Sequence, residues 1–360
     1  MKTFSTKLRA AVVATVCAVS LVGCGVQGAY ESSGEKLRDS IPAATDLSDP
    51  RSFEGVTQVT EFDEVEPVTT NAKPSLPVEL TDADGYDVTV NDTSRILALD
   101  LYGTYTKTLT GLGLGSNIVG RTVSSTEKSL ESLPVVTQGG HNINVEAVLS
   151  LEPTLVIVDH SIGPRDAIDQ IRAAGVTTVV MEPTRTIESI SDDIKNLGAV
   201  VGLNEEAEKL AQRSMEEIEK DREALQALVP EKPMRMAFLY ARGTGGVFFI
   251  MGEGTGAKDL IEGIGGVDLG TEYKLSYAEP ANAEALAKIN PEVIIMMSGG
   301  LESTGGIEGL LQRPGIAQTT AGQKKRVVTL PDGQSLAFGP LTGQTLIRLA
   351  KAVYAPENAN

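Results

Sequence analysis

The sequence predicts an α/β protein made of two Rossmann-like lobes joined by one long bridging helix. Three observations predict it. Short β-branched runs such as "RILALD" and "TLVIVD" alternate with helical segments over most of the chain. The stretch from Asn204 to Val229 contains neither glycine nor proline. The segment "NVEAVLSLEPTLVI" from Asn144 returns as "NAEALAKINPEVII" from Asn282.

The chain starts with a segment that is not fold. Lys2, Lys7 and Arg9 precede an apolar run from Ala10 to Val22, which is short for a bilayer span. The run ends in Leu21-Val22-Gly23-Cys24. A small residue before a cysteine at this place resembles the lipobox of bacterial lipoproteins. Residues 1–23 are then a signal peptide and Cys24 the lipidated residue. Cys17 leaves with the signal, so no disulfide remains possible. Cleavage also removes three cations and leaves 28 Lys+Arg against 48 Asp+Glu, a charge of −20. Such a chain is a poor partner for nucleic acid or anionic lipid headgroups.

Residues 24–75 carry Ser, Pro, Thr and acids with no sustained period. They are expected to form a flexible tether between lipid and domain. Residues 76–203 form the N-terminal lobe. Its expected strands are "DVTV", "RILALD", "NIVGR", "TLVIVD" and "TTVVME". Helices are expected at "TYTKTLTGLGLG", "INVEAVLSL", "DAIDQIRAAG" and "SISDDIKNLGAVVG". Continuous apolar strands between helices argue a parallel sheet covered on both faces.

Residues 204–230 are the bridging helix. Asn204 reads as its cap, Glu205 and Glu206 lie in the first turn, and Glu205/Lys209 and Glu216/Lys220 have i,i+4 spacing. About 25 residues at 1.5 Å per residue span roughly 37 Å, enough to link two domains as a strut. Residues 231–360 form the C-terminal lobe. Strands are expected at "MRMAFLYAR", "VFFIM", "EVIIMM" and "RVVTL". Helices are expected at "AKDLIEGIGG", "AEALAKI", "IEGLLQRPGIAQTTA" and "TGQTLIRLAKAVY".

The duplicated unit matches Asn144, Glu146, Ala147 and Pro153 to Asn282, Glu284, Ala285 and Pro291. Each lobe therefore carries the same helix–Pro–strand element. Ligands of such sheets sit beyond the carboxyl ends of the strands, and two facing lobes make a cleft there.

Candidate ligands follow from that rule. The chain has two histidines. His141 follows Gly139-Gly140, a pair that leaves its imidazole room, and imidazole suits iron, zinc or copper. His160 ends "TLVIVDH" and ranks below it. Two histidines fall short of a three-histidine site for a bare metal, but a macrocycle needs only one or two protein ligands. Tyr240 and Arg242 close "MRMAFLYAR" and share a face if the strand persists. A guanidinium there favours the phenolate, a hard donor for ferric iron. Arg121 closes "NIVGR" and could pair a carboxylate. Met297 closes "EVIIMM" and could pack on a flat ring. Tyr277 precedes the second helix copy. The glycine-rich "GEGTGAK" lacks the spacing of a phosphate loop and reads as a tight turn. The same residues also suit ordinary loop, core and surface-pair roles.

Together the lipobox, the two lobes, the bridging helix and the duplicated unit resemble class III substrate-binding proteins of ABC importers over about residues 75–358. "GGHNINVEAVLSLEPTLVIVD", "FLYARGTGG" and "AFGPLTGQTLIRLAKAVY" are most similar to haemin-binding lipoproteins of the HmuT type. The resemblance implies ferric haem b held between the lobes, with His141 and Tyr240 as metal ligands and Arg242 hydrogen-bonded to the tyrosine. It implies no enzymatic activity. It also implies docking on an ABC permease and its ATPase through Glu146 and Glu284, whose alternative role is first-turn helix chemistry. Upstream haem-carrier proteins are possible partners. The protein is expected to be a monomer on the outer face of a Gram-positive cell membrane. Haem-binding relatives often carry Gly-Pro-Arg-Thr near the end. Gly339-Pro340-Leu341-Thr342 stands here, so that arginine is missing. The alternative cargo is a ferric siderophore or cobalamin. A tethered haem enzyme is a further reading, disfavoured because two axial ligands leave iron no open position.

Overall fold

The computed structural model describes residues 33–43, 45, 47–60, 62–138 and 142–358. Cys24 and the signal segment lie outside them. Four parallel strands build the N-terminal lobe, in the order Ile118–Gly120, Ile96–Leu99, Leu155–Asp159, Thr178–Met181. The two central strands are buried at every position, which is why they read as unbroken apolar runs. The C-terminal lobe holds a mixed seven-stranded sheet. Its parallel part orders Val56–Gln58, Val327–Leu330, Val293–Met297 and Arg235–Arg242. Two antiparallel strands, Val247–Met251 and Ala278–Pro280, extend it beyond Arg235–Arg242.

The bridging helix is Asn204–Leu225, followed by a 3₁₀ turn Gln226–Leu228. Its buried residues, Ala207, Leu210, Ala211, Ser214, Ile218, Asp221 and Leu225, recur every three or four positions. That stripe packs on Ile190–Val200 of one lobe and Thr342–Tyr354 of the other. The N-terminal approach needs a glycine: a Cβ on Gly198 would stand 2.2 Å from that of Ala207. The expected cap is shifted by one residue. Leu203 occupies the cap and Asn204 is the first helical residue. Lys220 pairs with Glu217 at 3.5 Å rather than with Glu216.

The duplicated unit is present in both lobes. Asn144 and Asn282 each cap their helix, accepting from Ala147 N at 3.1 Å and Ala285 N at 2.9 Å. The residue before each proline, Glu152 (φ 44°) or Asn290 (φ 38°), turns left-handed. A buried parallel strand then starts two residues after each proline.

From Ser33 on, the expected tether is folded. Ser33–Asp39 is a helix packed on the bridging helix and on Thr342–Tyr354. Arg38 pairs with Glu217 and Asp221, each at 2.7 Å. Arg51 grips Glu292 through two bonds of 2.8 and 3.1 Å. Val56–Gln58 adds an edge strand beside Val327–Leu330. The segment then reaches the other lobe, where Val68 N bonds Gly111 O and Ser75 N bonds Gly202 O. The anchoring rests on a few ion pairs and one edge strand, which leave no period in the sequence.

Candidate functional site

The two lobes meet directly. Lys107, 1% exposed, donates to Gly103 O at 3.0 Å in its own lobe and to Gly333 O at 2.9 Å in the other. A Cβ on Gly333 would lie 2.0 Å from Ser124 O. A second tie crosses elsewhere, where Ile187 N donates to Asp259 at 3.1 Å. Burial pushes the Asp259 carboxyl up, and Glu188 adds to the shift.

Tyr240 stands two residues before the end of its strand, opposite Phe249. The pattern along Arg235–Arg242 leaves positions 240 and 242 half-buried on either side of buried Ala241, so they share the accessible face as the strand spacing predicts. The Arg242 guanidinium lies over the Tyr240 ring, 5.0 Å from its centroid. Its Nη2 donates to Asp332 at 2.5 Å and approaches Met297 Sδ at 3.4 Å. Asp332 also accepts from Gly299 N at 2.9 Å. Tyr240, Arg242, Met297 and Asp332 thus form one cluster at the carboxyl ends of three adjacent strands. Sequence reasoning missed Asp332, although it follows the strand "RVVTL" and the carboxyl-end rule would have found it.

Met297 is 6% exposed, and its sulfur faces the guanidinium rather than an open ring surface. Tyr277 stands on the rim, 64% exposed with φ 44°. Arg121 is directed elsewhere than expected. Its guanidinium lies 3.4 Å from the carbonyls of Thr122, Ser125 and Glu131, within its own lobe. Short neighbouring turns offer those acceptors, so the side chain closes its loop. His160 is likewise engaged: its Nε2 lies 2.8 Å from Asp84, which also binds Arg165. Burial would raise the Asp84 carboxyl, but His160 and Arg165 outweigh it and hold it below the ordinary range.

His141 lies outside the described residues. The strands on either side, Thr137–Gln138 and Asn142–Ile143, pair antiparallel. Asn144 N bonds Val136 O, so this hairpin leads straight into the Asn-capped helix. Glu146 and Glu284 are exposed in the first turns of the two equivalent helices.

Among the described residues no group of three His, Cys, Asp or Glu side chains could hold a metal ion. A cavity of about 320 Å³ beneath the hairpin Val78–Thr81/Asp87–Val90 contains none of the candidate residues.

Crystal structures of a heme binding protein HmuT and of its H141A, Y240A and R242A mutants are similar to this chain. For the unsubstituted protein the identity is 63%, the TM-score 0.83, and the match covers 86% of this chain and 100% of that one. For the three mutants the identity is 60–62%. An uncharacterized ABC transporter substrate-binding lipoprotein, YvrC of Bacillus subtilis, is 24% identical over 280 residues, 77% of this chain and 86% of its own. The vitamin B12-binding protein of Photorhabdus laumondii is 24% identical over 196 residues, 54% of this chain and 68% of its own. The family model described as periplasmic binding protein matches residues 100–333. With two α/β lobes and a long helix bridging them, the chain belongs to the periplasmic binding protein family, in its class III form.

Proposed function

We propose that this protein is an exported, lipid-anchored receptor that captures ferric haem and delivers it to an ABC permease. The observation that carries the reading is the likeness at 60–63% identity to a heme binding protein along its whole length, joined to the Tyr240–Arg242 pair at the cleft. The H141A, Y240A and R242A variants of that protein bear the residue types and numbers of His141, Tyr240 and Arg242 here.

The iron is held by the Tyr240 phenolate from the C-terminal lobe and the His141 imidazole from the N-terminal lobe. Arg242 positions the phenol by covering its ring, and Asp332 fixes Arg242. Met297 packs behind them. The protein does no chemistry on its cargo. The ties through Lys107 and Asp259, together with the bridging helix, favour loading by small hinge or loop movements over wide closure. Glu146 and Glu284, exposed at matching places on the two lobes, are the docking points for the permease. Cys24 carries the lipid that keeps the receptor at the outer face of the cell membrane, acting as a monomer.

The test is an absorption spectrum on mixing the purified protein with haemin. A Soret band characteristic of the complex is expected, shifted or lost in Tyr240→Ala and in His141→Ala. Unchanged spectra in both variants would reject the ligand assignment. The vitamin B12-binding relative favours one second reading, cobalamin as cargo. Competition between haemin and cobalamin decides it: displacement of haemin by a modest excess of cobalamin would favour that reading.

A further inference from the structure

The alternation of buried strand residues gives the molecule two opposite sides. In the N-terminal lobe, Ile96 and Ile157 share a core with Leu210 of the bridging helix, whereas Leu97 and Val156 share another with Val148 of Val145–Ser150. The C-terminal lobe repeats the division. Phe238 and Ile295 join the bridging helix and Thr342–Tyr354, whereas Leu239 and Ile294 join Leu286 of Ala283–Ile289. Glu146 and Glu284 therefore ride on helices that cover the sheet faces turned away from the bridging helix.

Ser33–Asp39 lies on the other side, seated on the bridging helix and on Thr342–Tyr354. Leu37 is buried there, Arg38 holds Glu217 and Asp221, and Lys351 donates to Ser40 Oγ at 3.0 Å. From this helix to Ala283–Ile289 the stack is helix, helix pair, sheet and helix. With neighbouring layers about 10 Å apart, roughly 30 Å separates the two outer ones. Only residues 25–32 lie between Cys24 and Ser33. Even fully extended, that stretch reaches about 30 Å. This equals the straight line through the body and is shorter than any path around it. With Ser33–Asp39 seated, a lipid on Cys24 keeps the bridging-helix side toward the membrane and turns both glutamates away from a permease. Freed as far as Arg51, whose bonds to Glu292 remain, the same chain reaches about 90 Å.

The seat suits reversible opening. A helix of seven residues is too short to be stable alone, and its ion pair with Glu217 is partly exposed, so it belongs to the low-stability end of the structure. We propose that Ser33–Asp39 is a latch. Seated, it holds the receptor with its docking glutamates away from the membrane, and it leaves the bridging helix when the receptor delivers its cargo. This rests on the anchor at Cys24 and on the docking role of Glu146 and Glu284, and adds the movement that makes the two compatible.

The experiment uses the full-length, membrane-bound protein as the sole receptor in its cells, with haemin as the probe. Arg38→Cys and Glu217→Cys are combined and joined by a short bis-maleimide; Cys17 leaves with the signal and Cys24 is acylated, so these are the free thiols of the chain. Before cross-linking, haemin uptake should equal that of the wild type. Cross-linking should slow it at least tenfold and leave the haemin spectrum unchanged. Inserting about 20 Gly/Ser residues after Ser32 adds roughly 65 Å of reach and should restore uptake to the cross-linked protein. Undiminished uptake after cross-linking would overturn the latch. A loss that the longer tether does not restore would overturn the argument from reach. Should the cysteine pair not fold, deletion of residues 27–30 gives a second test. Uptake should stay at the wild-type rate, because reach comes from the released segment; its loss would mean that delivery occurs with the helix seated. A Cys24→Ala protein that still pellets with membranes would overturn the anchor and the latch with it. If the uncross-linked protein shows no spectral change with haemin, it is the haem reading that fails.

Discussion

The Arg242 guanidinium covers the face of the Tyr240 ring at 5.0 Å and is held there by Asp332 at 2.5 Å. The family resemblance leads one to expect an arginine bonded to the tyrosine oxygen. Here the cation packs on the ring, and an acid from the neighbouring strand end fixes it. The two halves of the Arg242–Asp332 pair are about 30% exposed, which keeps the pair's worth modest.

Asp332→Asn is accordingly expected to speed haemin loss about two- to fivefold, corresponding to roughly 0.5–1 kcal/mol. Arg242→Ala should do more, since it also uncovers the ring. In the Arg242→Ala background, Asp332→Asn should have no further effect. Haemin transfer rates from the four proteins check this. An undiminished Asp332→Asn effect without the arginine would show that the acid acts by another route.

The folded N-terminal segment makes a prediction that a flexible tether does not. Arg51 holds Glu292 through two bonds and also donates to the carbonyls of Lys232 and Pro233. Arg51→Ala should lower stability by about 1–2 kcal/mol, as for charge-assisted hydrogen bonds at a partly exposed site. Lys36→Ala, on the exposed side of the first helix, should leave stability unchanged. Urea denaturation of both variants tests the contrast, and equal midpoints would mean that the segment adds no stability.

Much of this fold was legible because burial shapes sequence in a regular way. Leu155–Asp159 and Val293–Met297 read as strands since both faces are covered. The Asn cap and the proline marked the same unit twice. Tyr240 and Arg242 could be placed on one face from the strand period alone. Contacts between distant charged residues were not legible. Arg38 meets Asp221 across 183 positions, and Lys107 meets Gly333 across 226. A buried lysine or arginine has the same letter as a solvated one, so Lys107, Arg185 and Arg51 gave no sign of their partners. Arg121 and His160 show the converse: strand-end residues that the rule nominates, but that turn to acceptors in their own lobe.

Asp100 gives a pH dependence of stability. Burial, reinforced by neighbouring Asp159, pushes its carboxyl up to about 6. The folded protein therefore holds this proton more tightly than the unfolded chain does. Its contribution to stability is full below the ordinary carboxyl range near pH 4, declines as pH rises to about 6, and stays lost above. Asp221, also pushed up to about 6 by burial despite Arg38, acts in the same direction. Asp100→Asn can keep the bond from Thr104 N while removing the charge. It should raise the melting temperature at pH 8 and lose that advantage near pH 4. A variant destabilised at pH 8 would show that the ionised carboxylate is needed where it stands.

The docking role proposed for Glu146 and Glu284 can be tested apart from binding. Glu146 and Glu284 sit in equivalent first turns, capped by Asn144 and Asn282. Glu146→Lys and Glu284→Lys should each leave the haemin spectrum unchanged. They should weaken haem-dependent growth, and the double variant should abolish it. Each reversal also costs some helix-dipole energy, about 0.3–1 kcal/mol, so melting curves must accompany the growth assay. Full growth of a normally folded double variant would remove both residues from the docking surface.

The Lys107 and Gly333 contact is one of the direct ties between the lobes. The Lys107 ammonium is buried and binds one carbonyl from each lobe. Lys107→Met removes the cross-lobe bond with little change in bulk, leaving two carbonyls without this donor. Gly333→Ala works from the other side: its methyl would lie 2.0 Å from Ser124 O, a backbone atom that cannot swing away. Both substitutions should loosen this tie, the alanine more strongly because overpacking displaces backbone at about 1–3 kcal/mol. Faster hydrogen exchange is expected at Gly103, Ser124 and Gly333, together with faster haemin uptake and loss. A loosened tie should raise both rates and move the equilibrium less than either. Exchange and kinetics as in the wild type for Gly333→Ala would mean that the lobes already part freely at this point, with the bridging helix and the Ile187–Asp259 tie holding them.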